Sequence, residues 1–212
     1  MSTVALIDYG SGNLRSAEKA LLKAASTLAS APTIQVTADP DAVARADRLV
    51  LPGVGAFAAC MALLKAQDGL IEAMTAATQE RGVPFLGVCV GMQLLAQQGL
   101  EFGATPGLGW IPGQVRRLEP RDPAAKVPHM GWNSVIPASP LFAGLGHSPH
   151  MYFTHSFAFD VADPGDIAAT SDHGGPFVAA VARDNVMGVQ FHPEKSQGAG
   201  QRLLANFLEL SL

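Results

Sequence analysis

Apolar and polar residues in the first half of the chain follow two alternating patterns. Short apolar runs, typical of buried strands, alternate with longer stretches whose apolar residues recur every three or four positions, as in helices. Strands are predicted at Val4 to Ile7, Thr33 to Thr37, Arg48 to Leu51 and Val83 to Val88, and helices at Leu14 to Ala25, Phe57 to Leu64, Gly69 to Gln79 and Met92 to Gln98. Strands that alternate with helices predict crossover connections and a parallel sheet.

The second half of the chain has a different pattern. Glycine and proline recur between Gly103 and Gly113, which indicates turns. Strand character then returns at Met151 to Asp160, a hairpin is predicted from Phe177 to Ala182 and Val186 to Phe191, and a packed helix is predicted at Gln201 to Leu212. The predicted fold is an α/β doubly wound, mostly parallel sheet flanked by helices, with an added antiparallel portion in the second half. We expect one domain spanning residues 1–212.

Composition and charge exclude several classes of function. The chain has 212 residues, of which 48% are hydrophobic and 15% charged, which suits a compact domain and argues against disorder. A net charge of −4 without a basic run argues against nucleic acid as a partner. No stretch approaches the roughly 18 apolar residues of a membrane span, and the first residues lack the pattern of an export signal. With two cysteines at unrelated positions, we expect a cytoplasmic protein with free thiols.

One apolar run ends in a cysteine held between two glycines. In Gly87-Val88-Cys89-Val90-Gly91, a sharp turn from strand to helix would lift the central side chain out of the sheet, and small neighbours allow the chain to bend. Cys89 is therefore placed like a nucleophile, although a cysteine at the end of an apolar strand can also be a small buried hydrophobe. Cys60, in a helix-like run without glycines or a polar neighbour, is interpreted as core.

A nucleophilic thiol needs a base, and that base needs a group that orients it. Of the six histidines, only His192 has such a group nearby, in His192-Pro193-Glu194. Residues two apart on an extended chain share a face, and Pro193 favours an extended conformation at His192. Because the ends of parallel strands meet at one edge of a sheet, the fold can bring His192 to Cys89.

Three other motifs contain residues that suggest a chemical role. Pro52-Gly53-Val54-Gly55 lies between a strand and a helix, so its N–H groups could point into the same crevice, or it could be a plain turn. Asp8 to Asn13 lacks the third glycine of a dinucleotide loop and is interpreted as a structural turn. His147 and His150 have no companion ligand, so no metal is expected.

Together these motifs resemble the triad-type (class I) glutamine amidotransferase family, in which a Gly-x-Cys-x-Gly elbow is followed late in the chain by His-Pro-Glu. The resemblance covers almost the whole chain, and Val88 and Val90 stand where bulkier aliphatic residues are usual. More narrowly, the chain resembles the branch of this family that passes ammonia to a cyclase subunit in histidine biosynthesis. The segments that carry this closer resemblance are 8–13, 52–57, 87–93, 128–133 and 192–196.

The resemblance implies a mechanism without cofactor or metal. Cys89 would attack the side-chain amide of glutamine, His192 would move the proton, and Glu194 would orient the imidazole. The oxyanion hole would be formed by the N–H of Val90 and by the Gly53-Val54 peptide. The residues implied to hold the amino-acid end of glutamine are Gln93 and the backbone around His155, Ser156 and Phe157.

The resemblance also implies a partner. Ammonia would pass through a tunnel to a (β/α)₈ cyclase subunit, giving a heterodimer. Methionine and tryptophan are enriched at protein–protein interfaces, so we expect the cyclase to dock on the loop that contains them. This loop consists of Pro128, His129, Met130, Gly131, Trp132 and Asn133. We also expect a peptide flip in the Pro52 to Gly55 loop to complete the oxyanion hole only when the cyclase is bound and loaded.

Two alternatives remain open at this point. The chain could be a different glutaminase subunit, such as that of anthranilate or aminodeoxychorismate synthase or of pyridoxal phosphate synthesis. The segments at Pro52 and at Pro128 to Asn133 favour the histidine pathway. It could also be a non-catalytic protein in which Cys89 senses redox state, but such a protein does not need His-Pro-Glu.

Overall fold

The computed structural model describes residues 2–210. The helices are α1 (Leu14–Ala25), α2 (Pro40–Arg45), α3 (Phe57–Lys65), α4 (Leu70–Thr75), α5 (Val90–Gln93) and α6 (Gln197–Glu209). The strands are β1 (Thr3–Ile7), β2 (Thr33–Thr37), β3 (Arg48–Gly53), β4 (Phe85–Cys89), β5 (Gln98–Gly99), β6 (Thr105–Pro106), β7 (Gly113–Arg117), β8 (His129–Ser134), β9 (Ile136–Pro137), β10 (His150–His155), β11 (Phe157–Val161), β12 (Ile167–Asp172), β13 (Pro176–Arg183) and β14 (Val186–Val189).

The main sheet has eight strands in the order β2-β1-β3-β4-β14-β13-β12-β9. Strands β2, β1, β3, β4 and β14 pair in parallel, and β13, β12 and β9 extend the sheet antiparallel. Helices α1 and α6 pack against each other, as do α2 and α4. The predicted class, a parallel α/β sheet with an antiparallel extension, is confirmed.

Strand β4 lies in the middle of this sheet. It pairs with β3 on one side and β14 on the other, and all five of its residues are buried. A strand that is buried on both faces has a continuous run of apolar residues, and this run is the pattern from which β4 was predicted. Cys89 is its last residue, so the sheet carries this side chain to the edge where parallel strands end.

Two predicted helices are shorter than expected. The helix after the elbow ends at Gln93 instead of Gln98, because the carbonyls of Leu94, Leu95 and Ala96 accept hydrogen bonds from residues 108–111 rather than continuing the helix. The helix predicted at Gly69 to Gln79 is α4 followed by a π-helical stretch over Ala76–Glu80. Helix α2 was not predicted, although Asp39 caps it and a proline opens it.

The prediction of one continuous strand from Met151 to Asp160 is wrong. The strand breaks at Ser156, so that β10 pairs with β8 in a two-stranded sheet while β11 pairs with β7 in a separate four-stranded sheet. Residues 129–134, expected as a loop, form strand β8. Helix α6 begins at Gln197, and the last two residues of the helix predicted there lie outside the described residues. No helix within residues 2–210 combines the length and apolar character needed to cross a membrane.

Candidate active site

Cys89 stands at a strained turn between β4 and α5. Its backbone angles are φ 56° and ψ −113°, a combination that residues with a side chain rarely adopt. Such strain costs on the order of 1–3 kcal/mol and is found where function requires a side chain to be lifted out of a sheet. The thiol is only 4% exposed, so the elbow presents it to an enclosed site.

The glycines around the elbow are required by close packing. A Cβ on Gly87 would lie 2.5 Å from the carbonyl oxygen of Gly91, and one on Gly91 would overlap the carbonyl oxygen of Leu51 in β3. A Cβ on Gly53 would lie 2.6 Å from the backbone nitrogen of Gly91. The elbow and the end of β3 are therefore in backbone contact, and Gly53 lies opposite Cys89 in the strand register.

His192 and Glu194 form the ion pair that the sequence predicted. His192 Nδ1 lies 2.8 Å from Glu194 Oε1, and both side chains are buried, at 5% and 6% exposure. The geometry differs from the expected one, because β14 ends at Val189 and residues Pro193–Lys195 form a 3₁₀ turn. The carboxylate therefore reaches the imidazole through this turn rather than along an extended strand.

The pKa of His192 is set by burial and by two neighbouring side chains. Burial alone lowers the pKa of this imidazole, but the nearby sulfur of Cys89 and the carboxylate of Glu194 outweigh burial and raise it from 6.5 to about 9. Because Nδ1 faces Glu194, Nε2 is left to serve the thiol. At neutral pH this arrangement favours an imidazolium beside the sulfur, as a nucleophilic cysteine requires.

Two buried polar residues beside the site, Ser196 and Gln190, were not predicted from the sequence. Ser196 accepts a hydrogen bond from the Tyr152 N–H at 3.0 Å and donates to the His192 carbonyl at 2.7 Å, which fixes the histidine backbone against β10. Gln190 Nε2 lies 3.8 Å from the Cys89 sulfur. Both residues flank the His-Pro-Glu motif, but no pattern marks a buried polar residue as a support before the fold is known.

Cys89 and His192 open onto one cleft of about 290 Å³, a size that suits a small metabolite. The residues predicted from the sequence for the substrate site line this cleft together with the cysteine and histidine: Cys89, Val90, Gln93, His155, Ser156, Phe157 and His192. The amide nitrogen of Gln93 donates to the Phe157 carbonyl at 3.1 Å and to Gln190 Oε1 at 3.0 Å. Since both amide hydrogens are used, only the carbonyl oxygen of Gln93 can contact a ligand.

His155 is held as a neutral ring behind this cleft. Its Nδ1 donates to the Phe157 carbonyl at 2.9 Å, so its Nε2 accepts from His129 Nδ1 at 3.0 Å, and Asn133 Nδ2 donates to His129 Nε2 at 3.2 Å. Burial lowers the pKa of His155 to about 3, and burial with nearby His173 lowers that of His129 to about 4. Both rings therefore act as fixed hydrogen-bonding groups rather than as bases.

The two N–H groups expected to form the oxyanion hole differ in whether they already have a hydrogen-bond partner. Val90 opens α5, where N–H groups have no partner within the helix. The N–H of Val54 instead donates to Ser11 Oγ at 3.4 Å. Gly53 lies beside the elbow, but the N–H of the Gly53-Val54 peptide points to Ser11. In this conformation it is therefore not free to bind an oxyanion at Cys89.

The expected docking residues differ in exposure because five of the six lie on strand β8. Met130 and Trp132 are 63% and 48% exposed, and Pro128 is exposed beside them. His129 is 4% exposed and its ring faces His155, so it does not lie on the exposed face that Met130 and Trp132 share. Gly131 and Asn133 are half-buried. Strand alternation, invisible while the segment was expected as a loop, explains this difference.

Cys60 is buried, as expected, but it does have polar neighbours. Its sulfur lies 3.3 Å from both Ser11 Oγ and the Val54 carbonyl oxygen. These polar contacts come from distant parts of the chain, because the Asp8 to Asn13 turn folds over the start of α3. The turn packs on Pro52 in β3, since a Cβ on Gly12 would lie 3.1 Å from the ring of Pro52.

A family model and curated relatives both match the chain over nearly its whole length. The family model described as "Glutamine amidotransferase class-I" matches residues 5–210. The chain is 64% identical to "Imidazole glycerol phosphate synthase subunit HisH" of Caulobacter vibrioides, covering 99% of both chains, and 55% identical to the protein of the same name in Rhodospirillum rubrum, covering 97% of both.

Solved structures share the fold at low sequence identity. One described as "Crystal structure of glutamine amidotransferase" has a TM-score of 0.72 at 20% identity, with 97% of each chain covered. The glutaminase domain of Trypanosoma brucei CTPS has a TM-score of 0.66 at 17% identity, covering 100% of this chain and 96% of that chain. These two similarities support the fold.

Proposed function

The chain belongs to the class I glutamine amidotransferase family, and from this we propose that it is the glutaminase subunit of imidazole glycerol phosphate synthase. It hydrolyses glutamine to glutamate and ammonia, and the ammonia serves histidine biosynthesis. The observation that carries the assignment is the buried set of Cys89, His192 and Glu194 at the strand ends, in a chain that matches relatives of that name over nearly its whole length.

The reaction follows from the charges of this set. The Cys89 sulfur attacks the side-chain amide carbon of glutamine, and the C–N bond breaks as His192 gives its proton to the leaving ammonia. Water, deprotonated by His192, then hydrolyses the thioester to glutamate and restores the thiol. Glu194 keeps the imidazole oriented and stabilises its protonated form throughout.

The negative oxygen formed at each step needs preorganised donors. We assign this role to the N–H of Val90 and to the Gly53-Val54 peptide, each worth roughly 10²–10³ in rate. Because the Val54 N–H is bonded to Ser11, the second donor becomes available only after this peptide flips. We propose that a bound and loaded partner favours the flipped form, which limits hydrolysis of glutamine when no acceptor is present.

The amino-acid end of glutamine is assigned to the other side of the cleft. The Gln93 carbonyl oxygen is available for the substrate ammonium, since its amide hydrogens are already bound. The backbone of His155, Ser156 and Phe157 lines the same wall. The hydrogen bonds from Gln93 and His155 to the Phe157 carbonyl fix this wall before substrate arrives.

The partner is proposed to be a cyclase subunit that forms a heterodimer with this chain in the cytoplasm. Met130 and Trp132 supply exposed apolar area on β8, beside Pro128 at the rim of the cleft. Large apolar and aromatic side chains of this kind anchor interfaces. We propose that the whole chain acts as one glutaminase domain and that ammonia leaves toward this face.

The proposal is tested by measuring glutamate release from the chain alone, with a cyclase subunit, and with that subunit and its nucleotide ligand. We expect the rate to rise at each addition. Cys89→Ala should abolish hydrolysis in the loaded complex, while retaining the melting temperature of the native chain. Hydrolysis by Cys89→Ala at the native rate would refute the assignment.

A further inference from the structure

Two polar residues of β8 lie on the face of the strand opposite to the side chains that we assign to docking. The ring of His129 is buried and stacks on Phe153 and His173, with centroids 4.8 and 4.1 Å away. Asn133 is half-buried on the same face of the strand, and its Nδ2 lies 3.2 Å from His129 Nε2. Neither side chain lines the catalytic cleft, so their mutual contact calls for a separate explanation.

The backbone fixes the orientation of the Asn133 amide. Its Oδ1 accepts the N–H of Ser134 at 2.8 Å, and its Nδ2 donates to the Asp172 carbonyl at 2.7 Å. Exchanging the oxygen and the nitrogen would set two acceptors against each other at Asp172 and two donors against each other at Ser134. The second hydrogen of Nδ2 is therefore directed at His129 Nε2, and this ring nitrogen must act as an acceptor.

This amide determines where two histidines carry their protons. Burial lowers the pKa of His129 to about 4 and that of His155 to about 3, so each ring is neutral at pH 7 and has one proton. Because Nε2 of His129 accepts, its proton is on Nδ1, which donates to His155 Nε2 at 3.0 Å. The proton of His155 is then on Nδ1, which donates to the Phe157 carbonyl at 2.9 Å. No other placement of the two protons satisfies all these contacts.

The chain of hydrogen bonds ends on a carbonyl that is also held by Gln93, whose Nε2 donates to Phe157 at 3.1 Å. The N–H of Leu118 donates to the Ser156 carbonyl at 2.9 Å. Since alternate residues of an antiparallel pair exchange hydrogen bonds, the N–H and carbonyl of Phe157 face away from β7. Two donors occupy this carbonyl, so Phe157 has only its N–H left to offer a ligand. Such a wall suits the carboxylate of an amino acid rather than its ammonium group.

We propose that Asn133 and His129 are positioning residues for the wall of the cleft that binds the carboxylate of glutamine. Acting through His155, they hold the Phe157 carbonyl away from the substrate and leave the N–H of that residue as its donor. This inference rests on the proposed glutaminase function and deepens it, because neither residue touches the substrate or the reacting atoms. It also gives the two faces of β8 different roles, with docking on the exposed face and substrate positioning on the other.

The test compares glutamine binding with the reactivity of the nucleophile. His129→Phe keeps an aromatic ring for stacking but removes the donor to His155 Nε2. With saturating cyclase and its nucleotide ligand, the KM for glutamine should rise about 3- to 10-fold, as expected for one lost buried hydrogen bond, while kcat changes by less than about twofold. Alkylation of Cys89 by iodoacetamide should keep its native rate, because this reagent has no amino-acid end.

Further variants test the order of the contacts and control for general damage. Asn133→Ala should raise KM in the same direction, and it provides a second test if His129→Phe is unstable. Because the two residues act in series, the double variant should have the KM of His129→Phe alone. Ser171→Ala is the matched control, since it loses a buried bond to β8, from Oγ to the Ser134 carbonyl at 2.7 Å, outside this chain of contacts. It should keep the native KM.

The proton positions can be measured in the native chain without any substitution. ¹⁵N NMR of the imidazole rings at neutral pH should show Nδ1 protonated and Nε2 unprotonated in both His129 and His155. A proton on Nε2 of either ring would overturn the inference, whatever the activity of the enzyme.

The kinetic outcomes distinguish this inference from the function on which it rests. If the loaded complex hydrolyses glutamine and both His129→Phe and Asn133→Ala keep the native KM, the positioning role is refuted and the glutaminase assignment stands. A lower kcat together with slower alkylation of Cys89 would also refute it, since the damage would then lie at the nucleophile. Additive effects in the double variant would overturn the arrangement in series. No hydrolysis by the native loaded complex would instead refute the function itself.

Discussion

Replacing Glu194 with glutamine tests the electrostatic basis of the mechanism. The rise of the His192 pKa from 6.5 to about 9 is the net result of burial, which lowers it, and of Cys89 and Glu194, which raise it more. It corresponds to roughly 3 kcal/mol in favour of the imidazolium. Because the Glu194 side chain is 6% exposed and its oxygen lies 2.8 Å from Nδ1, water screens this pair weakly.

The assay is kcat/KM for glutamate release by the loaded complex as a function of pH. In the native protein the rate should fall as the pH passes about 9, because His192 must hold a proton for the leaving ammonia. In Glu194→Gln the high-pH limb should move down by about 1–3 pH units. The maximal rate should fall by about 10²–10⁴, the typical contribution of acid–base catalysis. Glu209→Gln, which neutralises an exposed carboxylate at the end of α6, should keep the native profile.

The stability of the folded chain should also depend on pH through the raised pKa of His192. A histidine whose pKa is raised on folding stabilises the native state fully below its unfolded pKa of 6.5, and this contribution is lost as the pH rises through about 9. The urea midpoint of the native chain should therefore fall across that window, and that of Glu194→Gln should fall less. A high-pH limb that stays in place in Glu194→Gln would refute the reasoning, because Glu194 could not then be a source of the raised pKa.

Three further substitutions have defined outcomes. Gly91→Ala should lower the melting temperature by about 10 °C, as expected for a loss of roughly 3 kcal/mol, because its Cβ overlaps the backbone of β3. Gly198→Ala, in open space on α6, should not lower it. Trp132→Ala should weaken cyclase binding, measured by calorimetry, by about 2 kcal/mol or more, whereas Ile136→Ala, at a more exposed apolar residue outside the docking segment, should not. Gln190→Leu should slow alkylation of Cys89 and reduce kcat about 3- to 10-fold, because the sulfur loses its neutral donor; an unchanged alkylation rate would exclude this positioning role.

The sequence was sufficient for the features that depend on local patterns. Buried strands such as β4 read as apolar runs, and the elbow at Cys89 was marked by glycines that the packing against β3 requires. His192 and Glu194 were identified because the orienting group lies two residues from the base. In each case the information is carried by neighbouring residues, so no knowledge of the tertiary fold was needed.

The remaining features depend on contacts between distant segments. Helix α5 stops early because a later loop takes its carbonyls, and the break at Ser156 sends β10 and β11 to different sheets. Ser11 lies in a segment interpreted as a structural turn, and only the folded chain places its hydroxyl on Val54. Buried polar residues of this kind give no periodic pattern, so they were missed.

The central claim is that Cys89 carries the covalent intermediate, and the most direct test is to trap that intermediate. The loaded complex is mixed with glutamine, quenched in acid during turnover, digested and analysed by mass spectrometry. The account predicts a γ-glutamyl group on the peptide that contains Cys89, in the native chain but not in Cys89→Ala. A γ-glutamyl group on a different residue, or turnover by Cys89→Ala, would contradict it.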